Sequence, residues 1–378
     1  MHVAINAWFW DQPTTGSGQY TRRLVKGLTA LETDLQITLV APAPGEQEDG
    51  DERYARHPIA CPRANLGKVW FEQVAFPRAC RRLGADLAHV PYWAPPLRPS
   101  LPTVVTIHDL IPLLLDAYRG GLLVRLYTAL VTRAARHAEL VLTDSQASRR
   151  DILARLRLPE AHVRAIYLAL EAGYDPTPTP QDADIRAKYD LPAQYVLYLG
   201  GFDVRKNLVT AIEAYGRAAP TIGERHPFVI AGRLPREDTA FTPHPRRLAR
   251  ERGVDRRCVH FPGFVAQGDE PALYRGATAF IFPSRYEGFG LPPLEAMACG
   301  TPVVGSDAAS LPEVVGDGGM LFGPHDAEGM AQALIRLVRD AAFRADLSRR
   351  ALRQASRFSW QHTARQTMAA YDDVAGPA

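Results

Sequence analysis

FPSRYEGFGLPPLEAMACGTPVV, residues 282–304, carries the chain's clearest fold signal. An apolar, β-branched run (278–282) leads into a loop punctuated by Gly288 and Gly290, and a helix is expected from Pro292, a residue type suited to a first helical turn. Strand, glycine loop, helix is the repeating unit of a parallel α/β sheet. Glu287 and Glu295 stand eight residues apart, the first on the loop and the second near the helix's first turn. They therefore do not share a helix face and can touch different parts of one extended ligand. The two glycines let backbone amides approach an anion, and the helix N-terminus adds partial positive charge. A plain βα turn carrying two solvated acids satisfies the same spacing.

Working outward, the same alternation fills the chain. Strands are expected near 195–200, 227–231, 258–261, 278–282, 302–305 and 320–322, with helices near 207–218, 244–252, 270–275, 292–298, 311–315 and 326–339. An earlier block predicts strands near 2–8, 36–41, 86–90, 103–107, 139–143 and 163–166, and helices near 18–31, 66–83, 122–137 and 146–156. Between the blocks, residues 172–192 hold Pro176, Pro178, Pro180 and Pro192, which reads as a linker. The expected division is 1–171, linker 172–192, 193–357, and a C-terminal helix in 358–378 that crosses back to the first domain. The fold class is α/β with two Rossmann-like domains. Their parallel sheets are expected to face a central cleft, since ligands of such sheets sit beyond the strands' carboxyl ends.

Composition narrows the function classes. The 378 residues are 46% hydrophobic and 22% charged, the balance of a folded protein long enough for two cores. A net charge of +3 does not mark a nucleic-acid partner. Cys61, Cys80, Cys258 and Cys299 are scattered, without metal-ligand or disulfide spacing, which suits a reducing cytoplasm. No secretory signal or membrane-length apolar run is evident. The acidic stretch 46–52 reads as a solvated loop tip.

Four further stretches carry candidate chemistry. Gly200-Gly201 ends a strand and is followed by Arg205 and Lys206 at a helix start, where two cations can neutralise a diphosphate. Lys206 is one of only four lysines, with Lys26, Lys68 and Lys188. Gly16-Ser17-Gly18-Gln19-Tyr20 leads into a helix, but as a dinucleotide fingerprint it fails: Thr21 replaces the third glycine, and strand 2–8 ends well before it. His108-Asp109 closes a strand, as does Tyr92-Trp93, whose rings packing alone would also explain. Thr143-Asp144-Ser145 precedes a helix that Ser145 can cap.

Together these words resemble the family-4 retaining glycosyltransferases of the GT-B fold, whose signature is E-x7-E, and within them the bacterial mannosyltransferase branch. The resemblance runs from Gly16 to Tyr371, with Ser17 and Gln19 as small departures. It implies an N-terminal acceptor domain and a C-terminal domain for a nucleotide-sugar donor. Arg205 and Lys206 would hold the donor diphosphate, with Gly16, Gly18, Gly201 and the Gly288-Phe289-Gly290-Leu291 amides around it. Glu287 would bind hydroxyls of the transferred sugar, Glu295 the ribose, and His108 would lie against the sugar. Tyr20, Asp109, Tyr92 and Trp93 would line the acceptor side.

The reaction implied is transfer of a hexose, with retention, to a hydroxyl of a glycan or lipid-linked acceptor. Mannose from GDP-mannose is the leading donor and a UDP-sugar the alternative. No Asp or Glu is placed as a nucleophile, and the fold the resemblance implies typically lacks an Asp-x-Asp metal site, so neither a covalent intermediate nor a metal is expected, nor any cofactor beyond the donor. Residues 53–164 hold 17 Lys/Arg against 8 Asp/Glu, an excess that suits an anionic membrane surface or a lipid diphosphate as well as it suits solvated helix faces. The helix with Arg119, Arg125, Arg133 and Arg136 among leucines is the membrane-facing candidate. A 2-epimerase or phosphorylase on the same fold, or a non-catalytic nucleotide- or glycan-binding protein, remains an alternative; a dinucleotide oxidoreductase fits least.

Overall fold

The computed structural model describes residues 1–43, 53–62 and 64–376. The acidic 46–52 stretch lies outside the described residues. The chain divides into two compact units, Met1–Ala169 with Ser359–Ala378, and Leu170–Phe358.

The first unit is built on a seven-stranded parallel sheet: β1 His2–Asn6, β2 Gln36–Ala43, β3 Ala55–Ala60, β4 Leu87–Val90, β5 Thr103–Thr106, β6 Leu140–Thr143 and β7 Val163–Ala165, in the order β3-β2-β1-β4-β5-β6-β7. The second carries six parallel strands: β8 Tyr195–Leu199, β9 Phe228–Ala231, β10 Val259–Gly263, β11 Ala277–Phe282, β12 Val303–Ser306 and β13 Gly319–Phe322, ordered β10-β9-β8-β11-β12-β13. Central strands such as β8 are buried at every position, as strands covered by helices on both faces must be. In each unit the sequence order reverses beside the first strand, the switch point at which doubly wound sheets take their ligands.

Local chemistry sets the element ends. β1 stops at Asn6, not at residue 8, because the Asn6 side-chain carbonyl accepts from the Trp8 amide at 3.1 Å and turns the chain. Thr15, Ser145, Asp326 and Ser359 each cap a helix by accepting from the amide three residues on.

Four features differ from the sequence-based expectation. The strand Ala55–Ala60 was not foreseen. It is an edge strand, largely unburied, with Arg56, His57 and Pro58 in place of an apolar alternation. The helix expected over 66–83 is helical throughout but passes through a π turn, Phe71–Ala75. A helix at Ala341–Ala355, rich in arginine and alanine, follows Ala327–Arg339.

Finally, the 172–192 stretch belongs to the second unit and holds the helix Gln181–Lys188. That helix buries none of its residues. It is held by Asp182, which takes two hydrogen bonds from Arg275 at 2.6 and 2.8 Å, and by Lys188 on Asp269 at 2.7 Å. The Arg275 fork holds the Asp182 carboxyl down at about 2. The last helix, Trp360–Ala375, packs in the first unit beside Gly16–Thr29, with Ala364, Thr367, Ala370 and Tyr371 fully buried. Among the described residues no helix is long and apolar enough to cross a membrane.

Candidate active site

In the second unit the residues converge at the carboxyl ends of β8 and β11. After β8 the chain makes a short 3-10 turn, Val204–Lys206, and Asn207 adopts a left-handed conformation (φ 55°). That turn is anchored: the Asn207 side-chain amide donates to the Pro283 and Pro324 carbonyls at 2.9 and 2.6 Å, and the Arg205 carbonyl accepts from the Arg285 amide at 2.8 Å. The loop after β11 is pinned by Ser310, whose hydroxyl reaches the Glu287 and Phe289 carbonyls at 2.9 and 2.5 Å. Gly290, at φ 112°, stands where a Cβ would lie 2.9 Å from the Leu311 side chain.

Between these two loops the Glu287 carboxylate receives Arg205 Nη1 at 2.6 Å and Lys206 Nζ at 2.9 Å. Arg205 also donates to the Tyr286 carbonyl at 3.0 Å, and the Lys206 ammonium lies over the Phe282 ring. Glu287 is only 8% exposed. Burial alone would raise its pKa, but Lys206 and Arg205 outweigh that and hold it below the ordinary carboxylate value. With Asp203 Oδ1 3.7 Å from Arg205 Nε, two cations meet two carboxylates, and Glu287 is an acceptor-only group at neutral pH. Glu295 is the fifth residue of the helix Leu291–Ala298, past the first turn, and accepts from the Tyr274 hydroxyl at 3.0 Å. Gly201 is held on the Arg205 loop, where its carbonyl accepts from Tyr198 at 2.6 Å.

In the first unit Gly16 and Gly18 lie inside the first helical turn, not in a loop before it. The reason is packing. A Cβ on Gly18 would meet the Gln12 carbonyl at 2.3 Å and the Phe9 carbonyl at 2.7 Å, whereas a Cβ on Gly16 meets nothing within 4 Å. The same turn delivers Tyr20, whose ring stands edge-on to His108 with centroids 4.7 Å apart. The Tyr20 and Thr106 hydroxyls are 3.1 Å apart, and Thr106 also meets His89 Nε2 at 2.9 Å. His89 Nδ1 lies 2.6 Å from the Tyr371 hydroxyl. Burial holds His89 neutral, with its pKa down at about 3.

The Asp109 carboxylate accepts from the Ile111 amide at 2.9 Å and starts the next turn. Tyr92 donates to Asn6 at 3.1 Å. Asn6 Nδ2, Trp93 Nε1 and Thr143 Oγ1 are buried without hydrogen-bond partners. They sit at or just beyond the carboxyl ends of β1, β4 and β6.

Two features escaped the sequence reading. Asp144 bonds to His108, 36 residues away. Lys68 and Tyr127, both partly exposed, meet the buried Glu72 of the π turn, with Lys68 Nζ 2.6 Å from Glu72 and 2.8 Å from the Tyr127 hydroxyl, over the Phe9, Tyr92 and Tyr127 rings. The i,i+4 spacing of Lys68 and Glu72 was the available signal.

The comparisons with known proteins bear on this geometry. Residues 14–172 match the family described as Glycosyltransferase Family 4, and residues 182–354 match Glycosyl transferases group 1. The O-antigen chain mannosyltransferase B of Escherichia coli is 32% identical over 95% of this chain and 96% of its own. The chain belongs to the family-4 glycosyltransferases. The serotype-specific mannosyltransferase WbdA of Escherichia coli is 34% identical over 69% of this chain, which corresponds to 32% of that longer protein. Among solved structures, sucrose-phosphate synthase from Thermosynechococcus elongatus superposes with a TM-score of 0.75 at 22% identity, covering 99% of this chain and 98% of that one. The lipopolysaccharide glycosyltransferase WaaG gives 0.70 at 17% identity, covering all of both chains. Anabaena HepE, solved with UDP-glucose, gives 0.72 at 18% identity over 99% of this chain and all of that one. This family-4 glycosyltransferase thus has the GT-B fold, with one Rossmann-like sheet in each unit.

Proposed function

We propose that the chain is a retaining hexosyltransferase that moves mannose from GDP-mannose to a hydroxyl of a glycan or lipid-linked acceptor. The observation that carries this reading is the Arg205-Lys206-Glu287 cluster at the ends of β8 and β11, in a chain similar along its length to an O-antigen mannosyltransferase. Breaking a sugar–phosphate bond leaves negative charge on the departing diphosphate, and a preorganised pair of cations stabilises that charge more than the ground state. Arg205 and Lys206, already gathered on one carboxylate, suit that task.

Glu287 is the group for the sugar: an ionised carboxylate accepts hydrogen bonds from hydroxyls and donates none. It is ill suited to act as a general acid, because both cations keep it ionised. We assign the ribose hydroxyls to Glu295 and the nucleotide phosphates to the amides of 288–291 and of the Gly16–Gly18 turn. His108 lies with the sugar, and Tyr20, Asp109, Tyr92 and Trp93 with the acceptor. Front-face attack, with the leaving phosphate taking the acceptor's proton, accounts for retention without a protein nucleophile. HepE was solved with UDP-glucose, which supports a nucleotide-sugar donor and keeps UDP-sugars as the alternative.

The reading includes peripheral contact with an anionic membrane on the cytoplasmic side, through the helix Leu122–Ala134. Leu122, Leu123 and Leu126 at its start are 71%, 81% and 59% exposed. A groove of about 460 Å³ beside them is lined by Arg119, Arg125, Arg133 and Arg136. Exposed leucines next to four arginines, of which Arg119 is paired with Asp116 at 2.8 Å, suit a surface that is apolar within and anionic at its headgroups.

The experiment is a donor screen on the whole chain. Melting temperature and slow donor hydrolysis are measured with GDP-mannose, UDP-glucose, UDP-galactose and dTDP-glucose, for wild type and Glu287→Ala, with and without EDTA. GDP-mannose should raise the melting temperature and be hydrolysed by wild type alone, with no response to EDTA. Stabilisation by a UDP-sugar instead reassigns the donor. No binding by any of the four rejects the transferase reading of the site.

A further inference from the structure

We propose that Asp144 is a positioning residue for His108: its buried carboxylate takes the hydrogen on Nδ1 and fixes the ring against Tyr20, so that one edge of the imidazole meets the donor sugar in a single orientation. The proposal rests on the reading that His108 faces that sugar. Nothing in the family signature words assigns a role to Asp144.

The geometry begins with the sheet. β5 and β6 are neighbouring parallel strands, with Thr106 opposite Leu142. His108 follows β5 by two residues and Asp144 follows β6 by one, so the sheet itself brings them together at its carboxyl end. The contact, His108 Nδ1 to Asp144 Oδ2, is 2.8 Å. Asp144 is 4% exposed, and a carboxylate that deep is costly unless a charged or strongly polarised donor meets it.

The ring is held from several sides. Tyr20 packs edge-on at 4.7 Å, and the Ser148 hydroxyl donates to the His108 carbonyl at 3.2 Å. Ser148 is held in turn, its amide donating to Ser145 Oγ at 3.0 Å. A quarter of the His108 side chain remains exposed.

This arrangement decides the ring's chemistry. An ionised carboxylate only accepts, so Nδ1 carries a hydrogen whether the ring is neutral or charged, and Nε2 is the nitrogen that titrates. Nε2 is buried, and the Pro91 carbonyl is the backbone group that meets the ring besides Asp144. The groups facing the ring are Asp144 from β6, Asp109 beside it in sequence, the Pro91 carbonyl after β4, Tyr20 from the first helix and His89 from β4. Burial lowers the His108 pKa. The charge and hydrogen bond of Asp144, with the Asp109 charge and the Pro91 carbonyl, more than reverse this, so the net direction is up. His89 stays neutral, so it adds no competing charge. The product is an imidazole biased toward its charged form at the ligand end of the sheet, its exposed quarter complementary to sugar and phosphate oxygens. No proton transfer is required of it.

The cation is present below the raised pKa and lost as pH rises through it. Replacing Asp144 by a neutral residue removes the largest upward influence and leaves burial dominant, so the cation is lost at lower pH.

The test follows ¹⁵N-labelled histidine in the whole chain, with His108→Gln used to assign the His108 signal among 11 histidines. GDP-mannose hydrolysis is measured from pH 5 to 9 for wild type, Asp144→Asn, Asp144→Glu and His108→Gln. Asp144→Asn should move the His108 titration and the alkaline limb of kcat to lower pH. It should also cut kcat by about tenfold or more with a much smaller change in KM, and Asp144→Glu should recover part of this. An unchanged titration and kcat in Asp144→Asn overturns the proposal. Should that variant fail to fold, the wild-type spectrum decides: neutral His108 with its hydrogen on Nε2 overturns the proposal, and with it on Nδ1 upholds it. Full activity in His108→Gln instead rejects the placement of His108 at the sugar, an outcome the ¹⁵N titration keeps separate.

Discussion

Glu287 shows how much one residue's charge sets at the candidate site. In Glu287→Gln the shape is kept, but Arg205 and Lys206 lose the carboxylate that both now hold at 2.6 and 2.9 Å. The pocket gains net positive charge, so free GDP should bind as well as before or more tightly in calorimetry, while donor hydrolysis falls roughly 100-fold. Parallel loss of GDP affinity would show instead that Glu287 serves to hold the two cations in place. The glycine pair offers a second residue-scale contrast. Gly18→Ala drives a methyl group into two backbone carbonyls and should cost about 1–3 kcal/mol in denaturant unfolding. Gly16→Ala meets open space and should leave stability unchanged. Any activity it loses then reports on a ligand at that turn.

At the scale of elements, legibility followed burial. Strands covered on both faces, such as β1, β8 and β11, announce themselves as apolar runs, and their glycine loops mark the helices that follow. The edge strand Ala55–Ala60 and the ion-paired helix Gln181–Lys188 carry no such pattern. The partners of that helix, Arg275 and Asp269, lie 93 and 81 residues away. The helix Leu122–Ala134 was legible as arginines among leucines, but its open apolar end was visible only once its neighbours were placed. The protein should co-sediment with vesicles containing phosphatidylglycerol and not with phosphatidylcholine alone, and Leu123→Asp with Arg125→Glu should abolish that binding while donor hydrolysis persists. Equal binding to both vesicle types, or none, removes the membrane contact.

At the scale of the molecule, the chain's end completes its first unit. Thr363, Ala364, Thr367, Ala370 and Tyr371 are buried there, and Tyr371 is hydrogen-bonded to His89. Ending the chain at Phe358 should therefore lower the melting temperature and expose apolar surface to a hydrophobic dye, although no residue of the Glu287 cluster is touched. Tyr371→Phe leaves the His89 nitrogen unpaired in the core and should cost about 1–3 kcal/mol, well short of the truncation. A truncated chain with wild-type stability would mean that the helix is a dispensable appendage.

What the sequence determined by itself was local and periodic: two runs of buried strands alternating with helices, the cations at 205–206, the carboxylates at 287 and 295, and the His108-Asp109 pair. These rest on neighbouring residues, where apolar period, capping and glycine placement act over a few positions. Only the tertiary structure decided which groups meet. It set Glu287 against both cations across about 80 residues, brought Asp144 to His108 across 36, and tied His89 to Tyr371 across 282. The physical reason is that a parallel sheet places the ends of strands distant in sequence side by side. Hydrogen bonding and desolvation then select partners from that set, at distances along the chain on which no local pattern bears.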